Sequence, residues 1–193
     1  MKTIIFDTET TGLLKPSGSP LEDQPRIIEL GIVVVQDMVI TAERSWLIYP
    51  ECQISEQITK INGITNSDLK GKPLFRQLLA EIEDVFAGSD FGVAHNSPFD
   101  TGMLRNELLR CSRSGFPWPR NMLCSAQEFT PFMGFRPKLT QLYEKVMGFP
   151  LAQTHRALDD AIALYSVLEK TGVLLDLELE LNLSGSLQSG QGG

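Results

Sequence analysis

An α/β fold is what this sequence predicts, on three observations. Strand-like runs open the chain at residues 3–12, 26–36 and 39–49; apolar residues then recur at helical spacing over 73–86, 139–147 and 154–170; and a short strand-like run, 91–95, falls between the helical segments. At 193 residues, 42% hydrophobic and 21% charged, the chain can bury a core of one globular domain. We place that domain at 1–172 and read 173–193 as a C-terminal tail, extended or disordered.

The first run, TIIFDTETTG, carries Ile4, Ile5 and Phe6 and closes on Thr10, Thr11 and Gly12, which is strand followed by turn chemistry. Side chains alternate along a strand, so Asp7 and Glu9 leave it on one face. Taken alone, an Asp-x-Glu is most often a strand ending at the surface. Two carboxylates projecting from a core segment repel each other unless a cation lies between them. Residues 14–25, with three prolines, form the loop that leaves this strand. The runs 26–36 and 39–49 meet at Asp37 and Met38, giving a three-stranded meander.

Residues 54–69 read as short helical pieces around Asn62-Gly63, and 73–86 as a helix with Pro73 in its first turn. After the strand 91–95, Ser97-Pro98-Phe99-Asp100 opens a helix with Ser97 as cap, and Asp100 shares its face with the inward-turning Met103 and Leu104. A loop over 111–120, a strand over 122–129 and a helix over 139–147 ended by Gly148 follow. Thr154 starts the last helix, on whose apolar stripe of Ala157, Ala161, Leu164, Tyr165 and Leu168 the acid Asp160 sits, with His155 one turn earlier and Asp159 turned outward.

Charge and cysteine content narrow the function classes. The net charge is −7, but 101–156 holds eight Lys or Arg against Glu107, Glu128 and Glu144, so this part carries +5 and the remainder −12, a basic surface beside an acidic site. Cys52, Cys111 and Cys124 are odd in number and scattered, against both a disulfide framework and a zinc knuckle. No run is long enough for a signal h-region or a membrane span, and a cytoplasmic protein is expected.

Asp7, Glu9, Asp100 and Asp160 are hard oxygen ligands suited to Mg²⁺ or Mn²⁺. An imidazole beside such ions is placed to take a proton from an attacking water, and His155, rather than the structural His95, has the neighbours for it.

The segments FDTETTG (6–12), AHNSPFD (94–100) and HRALDDA (155–161) resemble, in order and spacing, the three motifs of the DnaQ-like 3′ to 5′ exonucleases, the DEDD superfamily in its histidine variant. RIIELGIVV (26–34), INGIT (61–65) and KLTQL (138–142) are similar to that family's pattern as well; Asn62 departs from it, where many relatives carry a different polar residue, often histidine. The resemblance covers residues 3 to about 170. It implies a ribonuclease-H-like α/β fold: a central mixed β-sheet, antiparallel in its first three strands, flanked by α-helices. It also implies two metal ions, Asp7 bridging both, Glu9 and Asp160 completing the first site, Asp100 serving the second, and His155 as general base.

By the same resemblance Thr8, Thr10 and the backbone at Thr11 and Gly12 receive the terminal nucleotide, with Ile61 and Phe99 against its base, and nucleoside 5′-monophosphates are released. A loop with Arg105, Arg110, Arg113 and Arg120 around Phe116 and Trp118 is expected to track the rest of a single DNA strand. The alternatives are the same chemistry on RNA, and a retired fold that only binds nucleic acid, which the filling of all five reactive positions disfavours. In the tail, Leu175, Leu177, Leu179, Leu181 and Leu183 alternate with polar residues at period two, predicting a strand that adds to a sheet edge of this domain, of a polymerase or of a second copy.

Overall fold

The computed structural model describes residues 1–152 and 154–189. Its strands are β1 (Lys2–Thr10), β2 (Ile27–Gln36), β3 (Val39–Leu47), β4 (Phe91–Ala94) and β5 (Asn121–Cys124), in one sheet of order β3-β2-β1-β4-β5. The first three pair antiparallel, while β1–β4 and β4–β5 are parallel. The carboxylate strand β1 is therefore central, at the place where the pairing changes sense. The expected mixed sheet is what forms.

The helices among the described residues are α1 (Glu56–Asn62), α2 (Asn66–Leu69), α3 (Phe75–Phe86), α4 (Ser97–Arg110), α5 (Ser125–Glu128), α6 (Thr130–Met133), α7 (Leu139–Met147), α8 (Ala157–Thr171) and α9 (Val173–Ser189). Alternation along the strands divides them between two faces. Ile4, Phe6, Leu30, Ile32 and Val34 pack with Phe75, Ile82 and Phe86 of α3 and Met103, Leu104 and Leu108 of α4. Ile5, Val33 and Val35 pack on the other face with Leu139 and Leu142 of α7 and Ala161, Leu164 and Leu168 of α8. Both sets of side chains on β2 are buried, so this strand reads as a continuous apolar run. None of these helices is long and apolar enough to cross a membrane.

Several boundaries differ from the sequence reading, each for a local reason. The helix expected from Thr154, α8, starts at Ala157 because the side chain of Glu29 takes the Ala157 N–H. Asn96, not Ser97, precedes α4, and it makes no side-chain cap because its Oδ1 accepts from Arg136 at 2.7 Å. Pro73 lies outside α3, whose first turn is closed by Gln77 Oε1 accepting from Leu74 N. The expected strand 122–129 stops at Cys124: the Ala126 N–H goes to the His95 carbonyl, turning the chain into α5.

The tail is the largest correction. Residues Val173–Ser189 are helical, so Leu175 to Leu183 adds no strand to a sheet edge. Leucine and glutamate are strong helix formers, and the segment has one β-branched residue, Val173, to oppose them. Leucine at every second position then populates both sides of the helix: Leu174 and Leu177 are buried beside α8, whereas Leu175, Leu179 and Leu183 stand exposed four residues apart. The last four residues of the predicted tail, 190–193, lie outside the described residues.

Candidate active site

Pairing of β1 with β4 ends at Ile5–Val93, so beyond it β1 has no strand on that side. The first turn of α4 takes the vacant place. Asp100 Oδ1 accepts from the backbone N of Thr8 at 3.1 Å and from its Oγ1 at 2.7 Å, continuing the ladder with a side chain. On the other side Asp7 faces Gly31 and Glu9 faces Glu29 of β2. A Cβ at Gly31 would lie 2.2 Å from the backbone of Ala157 and Leu158, so only glycine lets the start of α8 rest on the sheet here.

That close approach delivers Asp160, one turn into α8, to the strand carboxylates: ligand oxygens of Asp7, Glu9 and Asp160 all lie within 4.8 Å of one another. Glu29 fixes the helix start. Fully buried, it accepts from Arg156 Nε at 2.9 Å and Nη2 at 2.7 Å, from Ala157 N at 3.1 Å and from Ser45 Oγ at 3.0 Å. Glu9 is held differently, by Asn62 Nδ2 at 3.2 Å, while Asn62 Oδ1 accepts from Ile64 N. The residue that departs from the family pattern is thus 2% exposed and turned onto a carboxylate.

The electrostatics follow from crowding and burial. Desolvation, then the charges of Asp100, Asp160 and Glu9, push Asp7 well above the usual carboxylate range. Desolvation raises Glu9 to about 7 despite the opposing Asn62 hydrogen bond. Asp100 is raised to about 7 by desolvation, with the Thr8 hydrogen bonds opposing. Neither Asp7 nor Glu9 has an ion pair among the described residues. Three hard carboxylate donors converging without a cationic partner on two of them fit a divalent cation, which would favour the ionised forms that burial disfavours.

The surrounding cavity, about 440 Å³, is lined by Asp7, Thr8, Glu9, Phe99, Asp100 and Asp160, with His95, Asn96, Arg136 and Lys138 on its rim. The structure brings four of the expected acids and Phe99 to one place. His155 is not among the lining residues; it precedes α8 with φ 51° and is partly exposed. His95 is tied at both nitrogens, Nδ1 to Ser125 Oγ at 2.9 Å and Nε2 to the Pro137 carbonyl at 3.0 Å. A carbonyl at Nε2 needs a proton there, and burial lowers its pKa, so the ring is neutral and structural.

Other expected contacts are used within the protein. Thr8 holds Asp100, Thr10 Oγ1 donates to the Gly12 carbonyl, and Thr11 Oγ1 accepts from Arg26 N. Thr11 and Gly12 border a second cleft of about 860 Å³. Ile61 on α1 is 50% exposed.

Of the expected track the structure brings Arg105 and Trp118 together, while the other arginines have partners within the protein. Arg110 donates to the carbonyls of Leu21, Gln24 and Pro25 and pairs with buried Glu107. Arg113 is held by Glu83 and Arg120 by Asp90. Arg105 lies 5.6 Å from the centre of the Trp118 ring. Glu29, Gly31, Arg136, Arg156 and Lys138 are site residues that sequence reasoning passed over, because their places opposite and around the acids come from sheet register and helix packing.

Known proteins resemble this chain in sequence and fold. The family profile described as Exonuclease (RNase_T) matches residues 4–168. DNA polymerase III subunit epsilon of Treponema pallidum (strain Nichols) is 34% identical over 159 residues, covering 81% of this chain and 69% of the relative. That of Rickettsia typhi is 31% identical, covering 94% and 82%. DNA polymerase III PolC-type of Clostridium perfringens is 28% identical, and this chain spans only 12% of it. Among solved structures, the nuclease domain of 3′hExo, a DEDDh family member bound to rAMP, aligns with TM-score 0.72 at 21% identity over 91% of this chain and 92% of that one. Exonuclease X in complex with 5′ overhanging duplex DNA aligns with TM-score 0.61 at 26% identity over 88% and 93%. With four carboxylates converging at the end of a central strand and a family match that spans strand, cavity and α8 alike, this chain belongs to the exonuclease family.

Proposed function

We propose that this exonuclease works from the 3′ end, removes nucleoside 5′-monophosphates from single-stranded DNA in the cytoplasm, and depends on Mg²⁺ or Mn²⁺. The observation that carries the reading is the convergence of Asp7, Glu9 and Asp160 oxygens within 4.8 Å in a cavity shared with Asp100. Asp7, Glu9 and Asp160 would hold one ion, and Asp100 together with Asp7 would serve a second. When bound, such ions lower the pKa of water and neutralise charge that develops at phosphorus in the transition state.

The chain's own groups supply the rest. Asn62 keeps Glu9 oriented and favours its ionised form. Glu29 and Gly31 fix where α8 lies, and so where Asp160 points. Phe99 lines the cavity as an apolar surface for a base, and Thr8 holds Asp100. His155 is the general base in this reading: it sits two residues before α8, on the segment leading to Asp160, and it serves when that segment turns the imidazole towards the cavity. The polymerase subunits among the relatives support a polymerase as the partner that covers Leu175, Leu179 and Leu183 of α9.

Matched 5′-labelled DNA and RNA oligonucleotides, single-stranded and duplex, incubated with and without Mg²⁺, test the proposal. A ladder shortening from the 3′ end of single-stranded DNA only when metal is present is expected. Shortening of RNA alone, or shortening unaffected by chelation, overturns the substrate or the metal assignment respectively.

A further inference from the structure

Of nine arginines, six are neutralised by carboxylates: Arg26, Arg76, Arg110, Arg113, Arg120 and Arg156. Among the described residues Arg44, Arg105 and Arg136 have no carboxylate partner. Arg44 lies on β3 and donates to the Glu43 carbonyl. Arg136 lines the carboxylate cavity, and Arg105 lies farther along, in a separate hollow. Arg136 lines the cavity rim, and its Nη2 is braced by Asn96 Oδ1 at 2.7 Å and Cys124 Sγ at 3.6 Å.

Cys124 borders an adjoining hollow of about 270 Å³ over edge strand β5. That hollow shares Ser97, Pro98 and Met122 with a third one, of about 380 Å³, which contains Arg105 and Trp118. Glu128 is the single carboxylate lining either hollow.

Resting on the exonuclease reading above, we infer that the single strand leaves the carboxylate cavity past Arg136, crosses the N-terminus of α4 along β5, and reaches Trp118 and Arg105. A guanidinium already committed to a carboxylate gains little from a phosphate, whereas one braced by an amide oxygen and a thiol keeps its full charge and a fixed direction. Arg136 accordingly binds the phosphate next to the reacting nucleotide. Trp118, whose ring already carries the Arg105 guanidinium, offers a stacking face to a base farther along. Lys138, exposed on the same rim, adds charge where the strand enters. The surface with Arg110 and Arg113 is not on the path, because carbonyls and Glu83 occupy those groups.

Binding of fluorescent oligodeoxythymidylates of increasing length, measured by anisotropy in Ca²⁺, tests the path, with cleavage in Mg²⁺ followed in parallel. Arg136→Ala is expected to weaken every length, including a dinucleotide, by roughly tenfold and to flatten the salt dependence by about 0.7 in logarithmic slope. Arg136→Lys, which keeps the charge, should recover part of the loss. Trp118→Ala and Arg105→Ala should cost roughly fivefold or more on long strands and nothing on the dinucleotide. Arg113→Ala should bind like wild type at every length.

Weakening by Arg113→Ala, with wild-type binding by folded Arg136→Ala and Trp118→Ala, overturns the path while leaving the exonuclease reading standing. A wild-type protein that neither binds nor shortens single strands overturns both.

Discussion

Glu9 and Glu29 stand directly opposite each other across β1 and β2, yet their carboxylates are held by different partners. Glu29 is neutralised by Arg156 and bonded to the first N–H of α8, whereas Glu9 has an amide hydrogen bond and is raised to about 7. One acid builds the site and the other belongs to it. An asymmetry follows for the pair Glu29–Arg156. Arg156 is 43% exposed, so losing Glu29 returns a guanidinium to water; losing Arg156 strands a buried carboxylate opposite Glu9. Arg156→Ala should therefore destabilise by about 3 kcal/mol, and Glu29→Gln by about 1–2 kcal/mol. Denaturant midpoints give the comparison, and the reverse order would remove Glu29 from the role assigned to it.

Gly31→Ala places a methyl group at 2.2 Å from helix backbone, which cannot rotate away as a side chain can. The start of α8 has to move, at a cost of about 3 kcal/mol or more, and Asp160 moves with it. Mn²⁺ affinity by calorimetry should fall along with stability; unchanged affinity in a folded variant would show that the close approach does not position Asp160.

Asn62→Ala deletes a hydrogen bond that favours the charged form of Glu9, so the Glu9 pKa rises further. The acid limb of the pH–rate profile should shift to higher pH, with Mn²⁺ binding weakened by roughly tenfold near neutrality. A profile that overlays the wild type would assign Asn62 to loop packing alone.

The metal-free protein should lose stability as pH rises. Glu9 and Asp100 titrate at about 7 when folded, against ordinary values of 4.5 and 3.8. Between about pH 4 and 7 the folded state binds more protons than the unfolded one, so the stability fully present below pH 4 declines up to about pH 7. Mg²⁺ binds the ionised forms and should raise the melting temperature more at pH 8 than at pH 5. Asp7→Ala should abolish activity and leave the metal-free protein at pH 8 as stable as the wild type or more so, since one repelling charge is gone. Melting curves at the two pH values, with and without Mg²⁺, decide both points.

His155→Ala should lower turnover by two to four powers of ten, roughly, with Mn²⁺ affinity little changed. Lost metal binding instead, or unchanged turnover, would take His155 out of the base role.

The sequence by itself determined the elements and the acids. Alternation in 3–12, the meander and the helical stripe of Ala157, Ala161, Leu164 and Leu168 are local patterns, and each puts an acid on a definable face. Tertiary structure decided what those side chains meet. Arg110 and Arg113 look free in sequence; beyond Glu107, one turn earlier on α4, their partners come from packing against the 14–25 loop and α3. Asn62 reads as a loop residue until the fold presses it onto Glu9.

The tail shows the limit most sharply, because a period-two pattern describes a strand only if a sheet edge receives it. Here α8 offered Leu174 and Leu177 a helical surface, and the backbone followed its helix propensity. Glu29 and Gly31 make the same point from the other side. Their meaning lies in contacts more than 120 residues away in the chain, which no local period encodes.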